Sequence, residues 1–479
     1  MPDPRPNILF IISDQHNARC VGYENHPDVK TPNLDTLARN GVQFRRAYTT
    51  KAECMPSRIT FLTGLYPHTH GIYANTNDRI SDLPSLAALL RDKAGYRTGA
   101  VGKWHMGDWR TSGFEDIVPQ VSPWGNRYVE DLEARGVPIE EPDIVECYTG
   151  QTDMCYEDTE PRWVGRETNK MIDRLGDEPW FIYCSYEPPH DPYKVPKDNP
   201  FPYDPNEIEL PPYDIDHFRT KPFSWRRGVE NLWHAGAAGE PKVREALANY
   251  YSLISMVDDN IGRTIRHLEE RGLLDNTIVI YTSDHGDFAG EHGQIGKNAP
   301  GAYESLYRIP MLFYWKGRFG REVSYNMVDN VDFFPTICGL LGLDVPMHAQ
   351  GESFHSVLMA SDTNCGYPSP RKEKVFFDEP FLKTVRTPTR KLTFSFAGEK
   401  KGEMYDLELD PGETRNVYDD PHYREDRSKL TEDILAWLIS TEQPEVWEEL
   451  RFPMPPFRWY RMNPRFRHAG NDLLSRLRE

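Results

Sequence analysis

Residues 7–14 read Asn7-Ile8-Leu9-Phe10-Ile11-Ile12-Ser13-Asp14, a continuous apolar and β-branched run that stops on two polar groups. Apolar side chains at every position, rather than at alternate ones, are what a strand needs when both faces of its sheet are covered by helices. The carboxyl end of such a strand delivers Asp14 and Gln15 to the sheet edge. Next, Thr31-Pro32 supplies a helix N-cap with proline in the first turn; Leu34, Leu37 and Ala38 form its apolar face, and Gly41 ends it before a strand at 42–44. The alternation recurs as helix 83–93 with strand 96–101 and helix 167–175 with strand 180–185. It recurs again as a long helix over 242–271, with Ala246, Tyr250, Leu253, Val257, Ile261, Ile265 and Leu268 at three- and four-residue spacing, then Gly272 and a strand at 277–283. This order predicts an α/β fold built on a large, mostly parallel central sheet flanked by helices.

The strand at 277–283 runs into Asp284-His285-Gly286, a second polar cluster at a carboxyl-terminal strand edge, where open α/β sheets place their ligands. Beyond about residue 370 the pattern changes to short alternating runs at 375–378, 383–387, 391–396 and 403–407, separated by turn residues such as Ala397-Gly398. These predict a smaller antiparallel sheet, with one helix marked by Leu430, Ile434 and Leu438 packed on it. The expected organisation is an α/β domain over 1–370, a C-terminal α+β subdomain over 371–450 and a tail over 451–479. The tail holds seven arginines against one Asp and one Glu, interleaved with Phe452, Phe457, Trp459, Tyr460 and Phe466. Aromatics at that density are costly to leave in water, so the tail reads as an arm embracing another subunit or a segment closing a pocket, and a homo-oligomer is expected.

The 479 residues far exceed the ~150 of one average domain. The 56 Lys+Arg against 74 Asp+Glu give a net charge of −18, a field that repels nucleic acid and acidic membrane surfaces and leaves only local basic pockets for small anions. Seven scattered cysteines do not make a secreted disulfide framework and read mostly as buried thiols. The apolar run at 8–12 is too short for a signal peptide, and no run reaches the ~20 residues of a membrane span, so cytoplasmic residence is expected.

Cys54-Met55-Pro56-Ser57-Arg58, continued by Ile59-Thr60-Phe61-Leu62-Thr63-Gly64, resembles the signature of the Cys-type, formylglycine-dependent sulfatases of the alkaline-phosphatase-like superfamily. Glu53 and Met55 stand where the stricter signature prefers an apolar and a small residue, while the Cys-x-Pro-x-Arg core is intact. Gly95-Tyr96-Arg97-Thr98 through Gly102-Lys103-Trp104-His105 resembles the family's second signature. Pro188-Pro189-His190, Ser283-Asp284-His285-Gly286 and Lys297 follow in the family's order, and Tyr405-Asp406-Leu407, Asp410-Pro411 and Asn416 resemble its C-terminal region. The resemblance covers residues 7 to about 420.

The resemblance implies metal-dependent hydrolysis of sulfate monoesters. Cys54 would be converted to formylglycine by a formylglycine-generating enzyme, giving an aldehyde hydrate with two geminal hydroxyls, one to attack sulfur and the other to expel the sulfate. Asp14, Gln15, Asp284 and His285, with the modified Cys54, would hold one divalent cation, expected to be calcium with manganese as the alternative. Arg58 would steady the hydrate, and Lys103 and Lys297 would bind sulfate oxygens. His105 would act as base on the second hydroxyl, and His190 would protonate the leaving alcohol.

Taken singly, each residue has a structural counterpart: a cap for Asp14, a packed imidazole for His285, a small core residue for Cys54, a surface charge for Arg58 or a lysine. Five motifs in order, ending on two strand edges, favour the chemistry. Trp104, Asn75 and Tyr23 read as packing rather than catalysis, and His292 as a structural histidine. The alternative enzyme is a phosphonate monoester hydrolase or phosphodiesterase of the same superfamily. There the positions of Lys103 and His105 tend to carry neutral hydroxyl residues, so this pair points to a small sulfate ester. A non-catalytic metal-containing binder follows if Cys54 stays a thiol.

Overall fold

The computed structural model describes residues 5–75, 83–139, 149–212, 239–297, 301–360, 372–395 and 402–442. Its first ten strands are β1 (Asn7–Ser13), β2 (Val42–Tyr48), β3 (Arg97–Lys103), β4 (Asp116–Gln120), β5 (Thr149–Thr152), β6 (Trp180–Tyr186), β7 (Tyr193–Pro196), β8 (Thr277–Ser283), β9 (Met311–Tyr314) and β10 (Glu322–Asp329). Eight of them form the central sheet in the order β10-β2-β9-β8-β1-β6-β3-β4, and β5 pairs with β7 in a separate ribbon. Strand β9 runs antiparallel to both neighbours, and the other pairings in the large sheet are parallel. This is the mostly parallel α/β architecture that the apolar run at 7–14 predicts.

All seven residues of β1 are buried. Ile8, Phe10 and Ile12 pack on one face with Ile59, Phe61, Phe333 and Ile337. Leu9 and Ile11 pack on the other with Leu34, Trp163, Val257 and Ile261. The period of two thus points apolar side chains into two cores, one per face.

The expected helices appear as Pro32–Arg39, Leu86–Ala94, Glu160–Leu175 and Gly239–Glu270. Three details differ. The strand placed at 42–44 continues to Tyr48, because Arg46, Ala47 and Tyr48 pair with Met327, Val328 and Asp329 of β10; the Arg45 guanidinium inside it meets Glu24 at 2.9 Å. The helix placed at 167–175 begins at Glu160, with proline in its first turn. Thr31 makes no side-chain cap: its hydroxyl donates to Asp35 Oδ1 and accepts from Gly22 N–H. The cap comes instead from Asp258 on the long helix, whose carboxylate accepts from Asn33 N at 3.1 Å and Leu34 N at 2.7 Å.

The four C-terminal strands β11 (Val375–Asp378), β12 (Leu382–Arg386), β13 (Arg390–Ser395) and β14 (Glu403–Asp406) form an antiparallel sheet in that order. Helix Arg424–Glu442 lays Leu430, Ile434 and Trp437 on Val385, Leu392 and Met404. The turn at Ala397-Gly398, the 370/371 boundary, the 451–479 tail, Cys147 and Cys365 lie outside the described residues. Of the described cysteines, Cys20, Cys54, Cys184 and Cys338 are buried, Cys155 is exposed, and all are free thiols. Among the described residues, no helix is long and apolar enough to cross a membrane.

Candidate active site

Strands β1 and β8 are parallel neighbours with Ser13 opposite Ser283, so Asp14 and Asp284 leave the sheet side by side at the same edge. The ladder persists one step further: Asp284 N donates to Ser13 O at 3.3 Å and Asp14 N to Tyr186 O at 3.1 Å. Strand β6 flanks β1 on its other side, and β3 lies beyond it, ending at Lys103. Four adjacent strands therefore open onto one edge. Gly102 makes the approach of β3 to β6 feasible: at φ +88 its missing Cβ would stand 1.9 Å from Ser185 O.

Helix Cys54–Thr63 starts at this edge, and all ten of its residues are buried. Lacking a polar face, it shows no helical period in the sequence, which is why it is not legible there; Phe333–Leu341 is similarly apolar and buried over its first two turns. Gly64, at φ +66, ends the helix by donating to Thr60 O. One turn in, Ser57 Oγ donates to Asp284 O at 2.6 Å. Arg58 is fully buried and joins the two strand ends: Nη2 lies 3.1 Å from Asp14 Oδ2 and Nε 2.8 Å from Asp284 Oδ2. Its Nη1 donates to Tyr183 Oη at 2.8 Å and Ser185 Oγ at 2.7 Å, so every guanidinium nitrogen is engaged.

The Cys54 thiol lies at the helix start, 3.0 Å from Lys297 Nζ, 3.4 Å from His285 Nε2 and 3.6 Å from Asp14 Oδ1. Lys297 Nζ also stands 2.9 Å from His190 Nε2 and 3.1 Å from His285 Nε2. Lys103 Nζ approaches Asp14 Oδ2 at 2.7 Å. Burial opposes charge on each group, and mutual pairing decides the outcome. Burial alone would raise Asp14, yet Lys103, His190 and Lys297 hold its carboxyl well below the usual range. Burial and the Asp14 charge push Asp284 upward. Burial and Asp14 would likewise raise the Cys54 thiol, but Lys297, Lys103 and His285 draw it well below the ordinary cysteine value. Burial would lower Lys103, and the Asp14 carboxylate raises it instead, keeping the ammonium charged.

Asp14, Cys54, Asp284 and His285 bring one donor atom each to within 4.8 Å of one another, all buried. Gln15 adjoins them, its backbone N–H donating to Asp284 Oδ1 at 3.1 Å. Its Nε2 donates to Asp287 Oδ2 at 2.6 Å and Asp191 Oδ1 at 3.2 Å. Its Oε1 is buried without a hydrogen-bond partner, an oxygen left over for a ligand. Two carboxylates, an unpartnered amide oxygen and an imidazole suit a divalent cation that prefers oxygen donors.

The sulfatase family model matches residues 6–343, most of the chain. The chain belongs to the sulfatase family. The model for the C-terminal region of N-sulphoglucosamine sulphohydrolase matches residues 290–439 of this sulfatase. It is 28% identical over 468 residues to an arylsulfatase of Clostridium perfringens, covering 92% of this chain and 95% of that one. It is 26% identical over 457 residues to a choline-sulfatase of Rhizobium meliloti, covering 90% and 86%. A phosphonate monoester hydrolase from Silicibacter pomeroyi has the same fold, with a TM-score of 0.80, 24% identity and coverage of 92% and 97%.

Nine residues singled out from the sequence of this sulfatase meet in one network by the contacts above: Asp14, Gln15, Cys54, Arg58, Lys103, His190, Asp284, His285 and Lys297; His105 is not joined to it. Among the described residues no hydrogen bond or ion pair joins His105 to the others; it follows Lys103 by two residues, at φ +42, with Nδ1 buried and unpartnered. Trp104 packs beside Phe114 and Trp124, and His292 beside Phe288 and Tyr303, as structural residues do. Asn75 caps rather than packs, its Oδ1 accepting from Met55 N at 3.0 Å. Tyr23 sits against the core that holds Leu34 and Tyr281. Tyr183, Ser185, Asp191 and Asp287 join this network beyond the residues expected from the sequence. Asp287 and Asp191 directly follow quoted motifs, a usable signal; Tyr183 and Ser185 look like ordinary residues of a buried strand and carry none.

Proposed function

We propose that this sulfatase hydrolyses a small sulfate monoester through formylglycine made from Cys54, with one divalent cation, calcium before manganese, held by Asp14, Gln15, Asp284 and His285. The observation that carries this reading is the position of the Cys54 sulfur, enclosed by Lys297 Nζ at 3.0 Å, His285 Nε2 at 3.4 Å and Asp14 Oδ1 at 3.6 Å. When bound, the cation supplies Lewis acidity toward sulfate oxygens and toward a hydroxyl at residue 54.

The protein's own groups do the rest. Lys103 and Lys297 bind non-bridging oxygens and balance charge that grows during transfer. Arg58 acts through the carboxylates it clamps, keeping Asp14 and Asp284 at fixed separation. His190 is held by its Nδ1–H, which donates to the Asp191 carbonyl oxygen at 2.5 Å; with Lys297 turned to a sulfate oxygen, the imidazolium gives its Nε2 proton to the departing alkoxide. His105, with a free Nδ1, takes the proton of the second hydroxyl.

The shared fold with the phosphonate monoester hydrolase of Silicibacter pomeroyi makes phosphonate or phosphodiester hydrolysis the second reading; Lys103 and His105, at positions that tend to carry neutral hydroxyl residues in phosphonate hydrolases, favour the sulfate ester. Mass spectrometry of the peptide spanning Cys54, from protein co-produced with a formylglycine-generating enzyme, is expected to show the aldehyde. An aryl sulfate and a phosphate diester with the same leaving group are then compared by kcat/KM. An intact thiol, or a strong preference for the diester, overturns the assignment.

A further inference from the structure

Asp287 lies one residue beyond the Ser283-Asp284-His285-Gly286 motif and is almost fully buried. Its two oxygens are divided between two tasks. Oδ1 accepts from the backbone N–H of Ala289 at 2.7 Å and of Gly296 at 3.0 Å, which ties down the loop leading to Lys297. Oδ2 accepts from Gln15 Nε2 at 2.6 Å and from the Tyr193 hydroxyl. An ionised carboxylate only accepts, so the Gln15 atom facing Asp287, and facing Asp191 at 3.2 Å, must be the amide nitrogen. The amide oxygen is thereby turned to the other side, where no protein donor meets it.

We propose that Asp287 is the positioning residue that sets the orientation of the Gln15 amide, presenting Oε1 rather than Nε2 to the metal. Glutamine is a metal ligand only through its oxygen, and the two ends of a free amide are nearly equal in size. An acceptor on the outer side selects between them. Because the same carboxylate fixes Gly296 N, it also couples this choice to the seat of Lys297. The inference rests on the metal site of the proposed function.

The test exchanges the two functional groups. Asp287→Asn turns an amide N–H toward Gln15, which favours the flipped amide; dissociation of calcium or manganese, measured by titration calorimetry, is expected to weaken 10- to 100-fold, the range for losing such a supporting contact. Gln15→Glu/Asp287→Asn reverses that hydrogen bond at unchanged net charge, though its new carboxylate also faces Asp191, and is expected to bind the ion more tightly than Asp287→Asn alone, a non-additive pair. Tyr193→Phe, which removes the other donor on the same oxygen and a longer 3.4 Å acceptor of Gln15 Nε2, leaves the Asp287 acceptor in place and is expected to keep metal affinity within twofold. Unchanged affinity in Asp287→Asn overturns the proposal. So does a folded double variant, by circular dichroism, that binds no better than Asp287→Asn; the double variant decides the matter even if the single one does not fold. If wild type itself binds neither ion, the metal site of the proposed function fails and this inference with it, an outcome distinct from the two above.

Discussion

Arg58 Nε donates to Asp284 Oδ2 at 2.8 Å in a place with no solvent-exposed side-chain surface on either partner. The same guanidinium reaches Asp14 Oδ2, so one cation holds together the ends of two neighbouring strands. Removing one member of a buried ionic group strands the others without compensation. Arg58→Met is therefore expected to cost about 3–5 kcal/mol of stability in urea denaturation, and to lower sulfate turnover by orders of magnitude. Arg58→Lys, a point charge without the fork, is expected to rescue little of either.

Lys103 is expected to matter for rate as well as for fold, since it is also a buried partner of Asp14. Lys103→Ala removes the ammonium that lies 2.7 Å from Asp14 Oδ2 and that would meet a sulfate oxygen. A loss of roughly 10²–10³ in kcat is expected, the range for deleting one preorganised donor of an oxyanion. Steady-state kinetics on an aryl sulfate check it; kcat within a few-fold of wild type refutes it.

Metal removal has a stability readout of its own. On the proposed metal site, Asp14 and Asp284, at the ends of two neighbouring strands, lose a counter-ion when a chelator strips it, so Tm is expected to fall and to recover with added calcium in a concentration-dependent way. Differential scanning fluorimetry across a calcium series checks this, and a flat response contradicts it.

The Asp258 cap joins two helices that are far apart in sequence, with Leu34 N at 2.7 Å and Asn33 N at 3.1 Å from its carboxylate. Asp258→Ala leaves these donors buried and unmet, and about 2–4 kcal/mol of destabilisation is expected. Activity per folded molecule is expected to be unchanged, because the cap touches none of the site residues.

Acid sensitivity is expected from His70. Ile72 N–H donates to His70 Nδ1 at 3.1 Å, so that nitrogen must keep its lone pair, and burial lowers the pKa from 6.5 to about 3. The unfolded chain takes up this proton near pH 6.5 while the folded one resists it to about 3. The stabilising contribution is complete above pH 6.5 and is lost as pH falls through that window, at up to about 1.4 kcal/mol per pH unit. Urea midpoints between pH 4 and 7 for wild type and His70→Gln check the sign: the variant should show the shallower slope.

The fold and the site were legible in the sequence to different depths. The run at 7–14 announced a strand buried on both faces because every position had to be apolar. The long helix announced itself through its spacing. Helix Cys54–Thr63 did not, since a helix enclosed on all sides has no polar stripe to give a period. For the site, the motif residues converge as their order implied. What sequence could not reveal is which of their partners is satisfied: that Arg58 has all its nitrogens engaged, or that Gln15 has one end held and the other free. Those are properties of three-dimensional neighbours such as Tyr183 and Asp287, and no local pattern encodes them.

The enclosure of Cys54 has a temporal consequence. Its side chain sits in a helix with no surface at all and is roofed by groups from residues as late in the chain as 297. In the folded chain that sulfur presents no exposed surface. An enzyme that alters the residue, as the proposed function requires, is therefore expected to meet the nascent or still-unfolded polypeptide, with the yield of altered protein a race between that encounter and the collapse of the core.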